Sequence, residues 1–246
     1  MNIYALQTAR GGSKSVPKKN VAHVKGIPLF LHNVIHSKNV KSIKDVYIST
    51  DMEFIKEHSE VYGYKIIDRP EDLKGDHASH YDTILHGLEN IETQINDKVD
   101  ILVVLLGNSI GAFSKDLENA IDMLVQNKEA DSVQSVSQYN MYNPFRAYTE
   151  KDGYLNTILP QEFIKEYSKL KNINDRNAAG ETFYFNGSFW VIKREALIKN
   201  DGLLPFPWLG KNILPYVQDN YMEVDAPWQL AYLQGKEWPG FNNNKE

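Results

Sequence analysis

Cysteine is absent from all 246 residues. Disulfides, thiolate metal ligands and cysteine nucleophiles are thereby excluded together, and any metal must be held by oxygen or imidazole. Long apolar runs are missing too. The run Ile101 to Leu106 stops far short of the roughly 20 residues that span a bilayer, and the opening MNIYALQTARGG carries no apolar signal-peptide segment. The chain is therefore expected in the cytoplasm, without a membrane partner. Acidic residues are missing from the first 44 positions, which hold Arg10, Lys14, Lys18, Lys19, Lys25, Lys38, Lys41 and Lys44. The whole chain nevertheless carries a net charge of −5. A basic segment on an acidic protein points to a local anionic ligand and away from nucleic acid, which favours a broader positive field.

What remains is an ordinary globular composition, 42% hydrophobic and 24% charged, enough for one domain with a sizeable core. Periodicity predicts a strand at Ile3 to Gln7, a glycine loop, and a helix from about Pro28 to Asn39. A β-rich run follows at Asp45 to Ser49, then a helix around Met52 to Tyr62, a strand at Tyr64 to Ile67 and a helix around Tyr81 to Ile91. The run ILVVLL, a helix at Ser114 to Gln126 and a strand from Ser132 complete the alternation. Short apolar strands between helices require a parallel sheet covered on both faces, so residues 1–138 read as a doubly wound α/β sheet. Residues 139–182 change to Asn, Tyr, Pro and Gly punctuation and are expected to leave the sheet. Phe183 to Ile192 returns as a strand, and EVDAPWQLAYLQ reads as a strand end entering a helix at Pro227. The expectation is a single domain over 1–246 with one excursion and a frayed tail, FNNNKE.

The stretch Ala9-Arg10-Gly11-Gly12-Ser13-Lys14-Ser15-Val16-Pro17-Lys18-Lys19-Asn20 follows the first strand directly. Gly11 and Gly12 let backbone N–H groups approach an anion, while Arg10, Lys14 and Lys19 match the charge of a triphosphate. Outside the carboxyl end of a strand in an open α/β sheet, such a loop is the expected ligand crevice. It is neither a Walker A loop nor a G-x-G-x-x-G fingerprint. It resembles the A-R-x-G-S-K-x-x-x-x-K-N signature of the acylneuraminate cytidylyltransferases, which couple CMP to sialic, legionaminic or Kdo-type sugar acids. VYISTD ending at Asp51, the block from Arg69 through GDHASHYDTILHGLE, and FYFNGSFWVIKREAL extend the resemblance over most of the chain.

The resemblance implies a Rossmann-like, mostly parallel nucleotidyltransferase fold in which the 139–182 excursion serves homodimerisation. It implies catalytic Arg10, Lys14 and Lys19, with Ala9, Gly11, Gly12, Ser13, Asn20, Arg69, Asp76 and Ser79 holding the nucleotide. Asn186 and Phe185 would face the acceptor, and Arg146 or Arg176 would grip its carboxylate, across a dimer if the arm exchanges. Glu223 and Asp225, two apart on a strand end, place both carboxylates on one face, where they can share Mg²⁺ or Mn²⁺. The family's I-D-x-D-x-P element here reads MEVDAP. His77, His80 and His86 read as helix-surface or interface groups ahead of a metal or base role. Where the sialic acid enzymes carry L-Q-P-T-S-P, this chain has LLGNSIGAF, without the glutamine; Asn108 and Ser109 take its place as candidate acceptor contacts. The expected function is CMP transfer from CTP to an anionic acceptor of the nonulosonic type, with release of pyrophosphate. Alternatives are a phosphate or phosphonate acceptor, another nucleotide, a glycosyltransferase, and a non-catalytic nucleotide-binding regulator.

Overall fold

The structure, a computed structural model, describes residues 1–75, 77–169, 172, 175–177 and 180–236. The chain forms two compact units. Residues 1–135, 186–216 and 220 onward make the first, and residues 136–185 with 217–219 the second. The segment 139–182, expected to leave the sheet, lies within the second unit.

Seven strands form the main sheet: β1 (Ile3–Ala9), β2 (Val46–Thr50), β3 (Lys65–Asp68), β4 (Ile101–Leu106), β5 (Ser132–Gln138), β6 (Phe183–Lys193) and β7 (Ile213–Val217). Their order is β7-β5-β6-β4-β1-β2-β3. The strand β1 lies parallel to β2 on one side and to β4 on the other, with Thr8 opposite both Ser49 and Leu106. The strand β3 extends the parallel set beyond β2, and β6 runs antiparallel to β4. Chain order reverses between β1 and β4, so their carboxyl ends open the crevice where α/β sheets of this kind bind ligands.

The central strands β1, β2 and β4 are buried along nearly their whole length because both faces are covered. Helix α1 (Leu29–Lys38) presents Phe30, Leu31 and Val34 to Ile3, Ala5 and Ala9, and α3 (Ser114–Gln126) adds Leu117, Ala120, Ile121 and Leu124 to the same cluster. On the other face α2 (His80–Ile95) buries Ile84, Leu88 and Ile91. Its Gly87 sits against Leu6 with no room for a side chain. Burying Ile84, Leu88 and Ile91 at helical spacing contributes about 1.5–3 kcal/mol per side chain. Among the described residues no helix is long and apolar enough to cross a membrane.

Several details depart from the periodicity. A hairpin, His23–Val24 with Ile27–Pro28, precedes α1, and its turn residues Lys25 (φ 48°) and Gly26 (φ 89°) are both left-handed, as a two-residue primed turn requires. The helix expected around Met52 to Tyr62 divides into Glu53–Glu57 and Ser59–Tyr62, with the His58 ring Nδ1 2.7 Å from Phe54 O at the break. The strand β7 escaped notice because ILPYV is an edge segment, partly exposed and interrupted by Pro215, with none of the continuous apolar character of ILVVLL. The second unit has its own hairpin, Tyr148–Lys151 with Tyr154–Thr157, and a helix, Gln161–Ser168. Phe145 stacks on Tyr167 there at 4.2 Å between ring centroids.

Candidate active site

The basic loop leaves the carboxyl end of β1 and is held by its neighbours. Thr50 Oγ1 donates to Ala9 O at 2.6 Å, Gly11 N to Asp51 Oδ1 at 2.7 Å, and Asn20 Nδ2 to Arg10 O at 2.8 Å. A Cβ on Gly11 would stand 3.1 Å from Met52 Cγ, so the loop lies close against the end of β2. Arg10 donates from Nη1 to Gly75 O at 2.9 Å. Gly12 has open space around it, and Lys14 is exposed. Arg69, only 6% exposed, donates from Nη2 to Ser49 O at 3.0 Å and from Nε to Ser49 Oγ at 3.3 Å. Burial pushes its pKa down to about 10; Asp51 opposes that shift and Arg10 adds to it, and the group stays cationic at neutral pH.

The second half of the site is built on β4. Gly107 N donates to Thr8 O at 2.9 Å, and a Cβ on Gly107 would lie 2.7 Å from Ala9 Cβ, so only glycine lets this loop cross the end of β1. Ser109–Ile110 then pairs antiparallel with Met222–Glu223, Glu223 standing opposite Ser109. That pairing delivers Glu223, Val224 and Asp225 to the crevice. Helix α4 (Pro227–Leu233) follows, and Gln229 Oε1 accepts from Asp225 N at 2.7 Å and Ala226 N at 2.6 Å, as a reaching-back capping residue does.

The two halves meet at Lys19, whose Nζ donates to Asp225 Oδ1 and to Val224 O, both at 2.7 Å. Burial raises the pKa of the Glu223 carboxyl and the charge of Asp225 raises it further, against the Asn108 amide and Lys19. Among the described residues no group of three His, Asp or Glu side chains is placed to hold a metal. The oxygen donors present are two neighbouring carboxylates beside an amide. They fit a hard cation such as Mg²⁺, which commonly takes one or two carboxylates and completes its shell with water and phosphate oxygens.

Other expected residues fall elsewhere. Asp76 lies outside the described residues. Ser79 caps α2, its Oγ accepting from Asp82 N at 3.4 Å. Ser109 is 1% exposed; its hydroxyl donates to Leu106 O at 3.2 Å, and Asn33 Nδ2 donates to its carbonyl at 2.9 Å. Asn186 is 3% exposed, its Oδ1 accepting from Ser135 Oγ at 2.8 Å and Ser188 N at 3.1 Å. Both residues hold these contacts inside the first unit. Arg146, exposed at the end of the turn Pro144–Arg146, the exposed Arg176 and the half-buried Phe185 belong to the second unit.

Two residues near the crevice escaped the sequence reading. Asp51 is the acceptor that fixes Gly11, and its only signal was the end of VYISTD. His80, read as a helix-surface or interface group, shares a 3.2 Å hydrogen bond with Thr8 Oγ1 and packs against Trp190 and Trp208. Burial pushes its pKa down to about 4, helped by the charge of Arg69, so the ring is neutral at physiological pH.

Residues 5–194 match the cytidylyltransferase family. The chain belongs to that family. It is accordingly a nucleotidyltransferase that uses CTP. It is 27% identical over 225 residues to the post-translational flagellin modification protein B of Campylobacter coli, covering 91% of this chain and 89% of that one. The CMP-N,N'-diacetyllegionaminic acid synthase of Campylobacter jejuni is 25% identical over 225 residues, with the same shares covered. Among solved structures, a CMP:2-keto-3-deoxy-manno-octonic acid synthetase complexed with CTP superposes with a TM-score of 0.65 at 16% identity, over 96% of this chain and 98% of that one. At that identity the likeness shows the fold of the cytidylyltransferase.

Proposed function

We propose that this cytidylyltransferase transfers CMP from CTP to a nonulosonic-type sugar acid and releases pyrophosphate. The observation that carries the reading is the junction at Lys19, where the basic loop after β1 meets Glu223 and Asp225 at the switch point of the sheet. A triphosphate and a divalent cation need those two halves side by side. The named activity of the Campylobacter jejuni relative supports a sugar acid as acceptor over a phosphate or phosphonate. Neither a glycosyltransferase nor a non-catalytic regulator is favoured by the family match.

In this reading, Arg10, Lys14 and Lys19 neutralise the phosphates, the backbone of Gly11 and Gly12 admits them closely, and Arg69 adds positive charge behind the loop. An acceptor hydroxyl oxygen attacks the α-phosphorus in line. The new bond joins that oxygen to phosphorus, the bond to pyrophosphate breaks, and the hydroxyl proton passes to solvent. Positioning and charge neutralisation supply the catalysis, with little covalent work for the protein. Glu223 and Asp225 would hold Mg²⁺, and the chemistry it supplies when bound is neutralisation of phosphate charge.

A homodimer formed through the second unit is part of the proposal. The exposed Tyr148, Tyr154, Leu155, Ile158 and Phe163 of that unit support it. The enzyme is placed in the cytoplasm. Nucleotide choice is tested by measuring pyrophosphate release with CTP, UTP, GTP and ATP in turn, with Mg²⁺ and a sugar acid mixture. Release confined to CTP is expected, and equal release from UTP would refute the assignment of the base.

A further inference from the structure

Asn108 is the residue whose expected role and observed contacts differ most. It stands half-buried just beyond Gly107, and its backbone carbonyl accepts from Val224 N at 2.8 Å. Its amide Nδ2 lies 3.3 Å from each of three oxygens: Glu223 Oε1, Val224 O and Asp225 Oδ1. Gly187 closes another side of the same pocket of charge. It holds φ +77°, and a Cβ there would sit 2.9 Å from Glu223 Cδ, so the Glu223 side chain fills the space that any other residue would need. Lys19 hydrogen-bonds Asp225, whereas Asn108 reaches both carboxylates.

Two neighbouring carboxylates repel each other and would diverge if left to themselves. An amide NH₂ carries two hydrogens and no net charge, so it can draw two acceptors together without cancelling the negative potential that attracts a cation. A second lysine at this position would draw them together too, but would cancel that potential. We propose that Asn108 is a positioning residue, which converges Glu223 and Asp225 into a preformed seat for a hard divalent cation. The inference rests on the reading of that carboxylate pair as the metal site, and it assigns the Gly107-Asn108 loop to metal organisation in place of acceptor contact.

The test is Mn²⁺ binding by the nucleotide-free protein, followed by electron paramagnetic resonance of the free ion, for wild type, Asn108→Ala, Asn108→Gln and Glu223→Gln. Removing a residue that orients metal ligands costs 10–100-fold in affinity. Asn108→Ala is expected to bind Mn²⁺ about tenfold more weakly, with an unchanged melting midpoint, and Asn108→Gln to recover part of the loss. In the rate assay the metal concentration for half-maximal turnover should rise in Asn108→Ala by more than any fall in rate at saturating metal, a split that a merely structural defect does not produce. Equal or tighter Mn²⁺ binding by Asn108→Ala would overturn the proposal, the tighter case meaning that the amide competes with the ion. Binding that survives unweakened in Glu223→Gln would instead sink the carboxylate-pair reading, and this inference with it.

Discussion

At the scale of single residues, the site is a set of hydrogen bonds from charged side chains and close approaches that tolerate little. Lys19 is the bond between its halves, donating to Val224 O and Asp225 Oδ1. Charge-assisted hydrogen bonds contribute about 1.5–3 kcal/mol each, so Lys19→Met should lower kcat/KM for CTP by about 10–100-fold, read by steady-state pyrophosphate release. A variant with wild-type kinetics would remove Lys19 from the machinery. Gly187 combines a left-handed φ with the Glu223 side chain where a Cβ would go. Gly187→Ala should therefore destabilise the protein by ~2 kcal/mol, seen as a lowered melting midpoint.

His80 gives a pH dependence of known sign. Its folded pKa is about 4 against an ordinary 6.5, lowered first by burial and then by Arg69. Between those values the unfolded chain binds the proton and the folded chain does not, so stability rises with pH across that window. The contribution is fully present above about pH 6.5 and is lost as pH falls toward 4, amounting to ~3 kcal/mol in all. Urea denaturation at pH 7.5 and pH 5 should show a smaller loss for His80→Gln than for wild type. Equal losses would mean that the ring stays solvated.

At the scale of elements, the hairpin before α1 carries a correctable strain. Its turn residue Lys25 holds φ 48°, a left-handed conformation that asparagine adopts more readily than lysine and that Asn-Gly turns favour. Lys25→Asn should stabilise the fold by about 0.5–1 kcal/mol, raising the melting midpoint by a few degrees without lowering turnover. This scale also shows what the sequence reveals. ARGGSK was legible because loop, charge and preceding strand are contiguous, and EVDAP because its two carboxylates are neighbours in sequence. The role of Ser109 was not, since its burial depends on Asn33, brought to it by α1 from far along the chain. The contacts of Asn108 with Glu223 and Asp225 were hidden for the same reason, its partners lying 115–117 positions away. Ser79 as a cap was concealed by a motif that pointed to ligand binding.

At the scale of the whole molecule, alternation of apolar strands with helices foretold the parallel half of the sheet, because burial on both faces leaves that mark on β1, β2 and β4. Residues 136–185 leave no such mark. Their helix Gln161–Ser168 has no buried residue within the chain, and Tyr154 and Leu155 are more than two thirds exposed. The homodimer proposed above would bury that surface between two copies, and so explain a composition that a solitary chain would not favour. Light scattering behind size exclusion should give twice the 28.2 kDa of one chain, and Leu155→Glu should shift it toward the monomer. A wild-type monomer would contradict the dimer.

The most direct test of the central claim is the mass of the product. Purified enzyme, CTP and Mg²⁺ are incubated with a panel of nonulosonic acids, Kdo, sugar phosphates and small phosphonates, and each reaction is analysed by mass spectrometry. A CMP conjugate of a nonulosonic acid, formed with one equivalent of pyrophosphate and lost in Glu223→Gln, is the predicted result. A conjugate formed only with a sugar phosphate or phosphonate would contradict it.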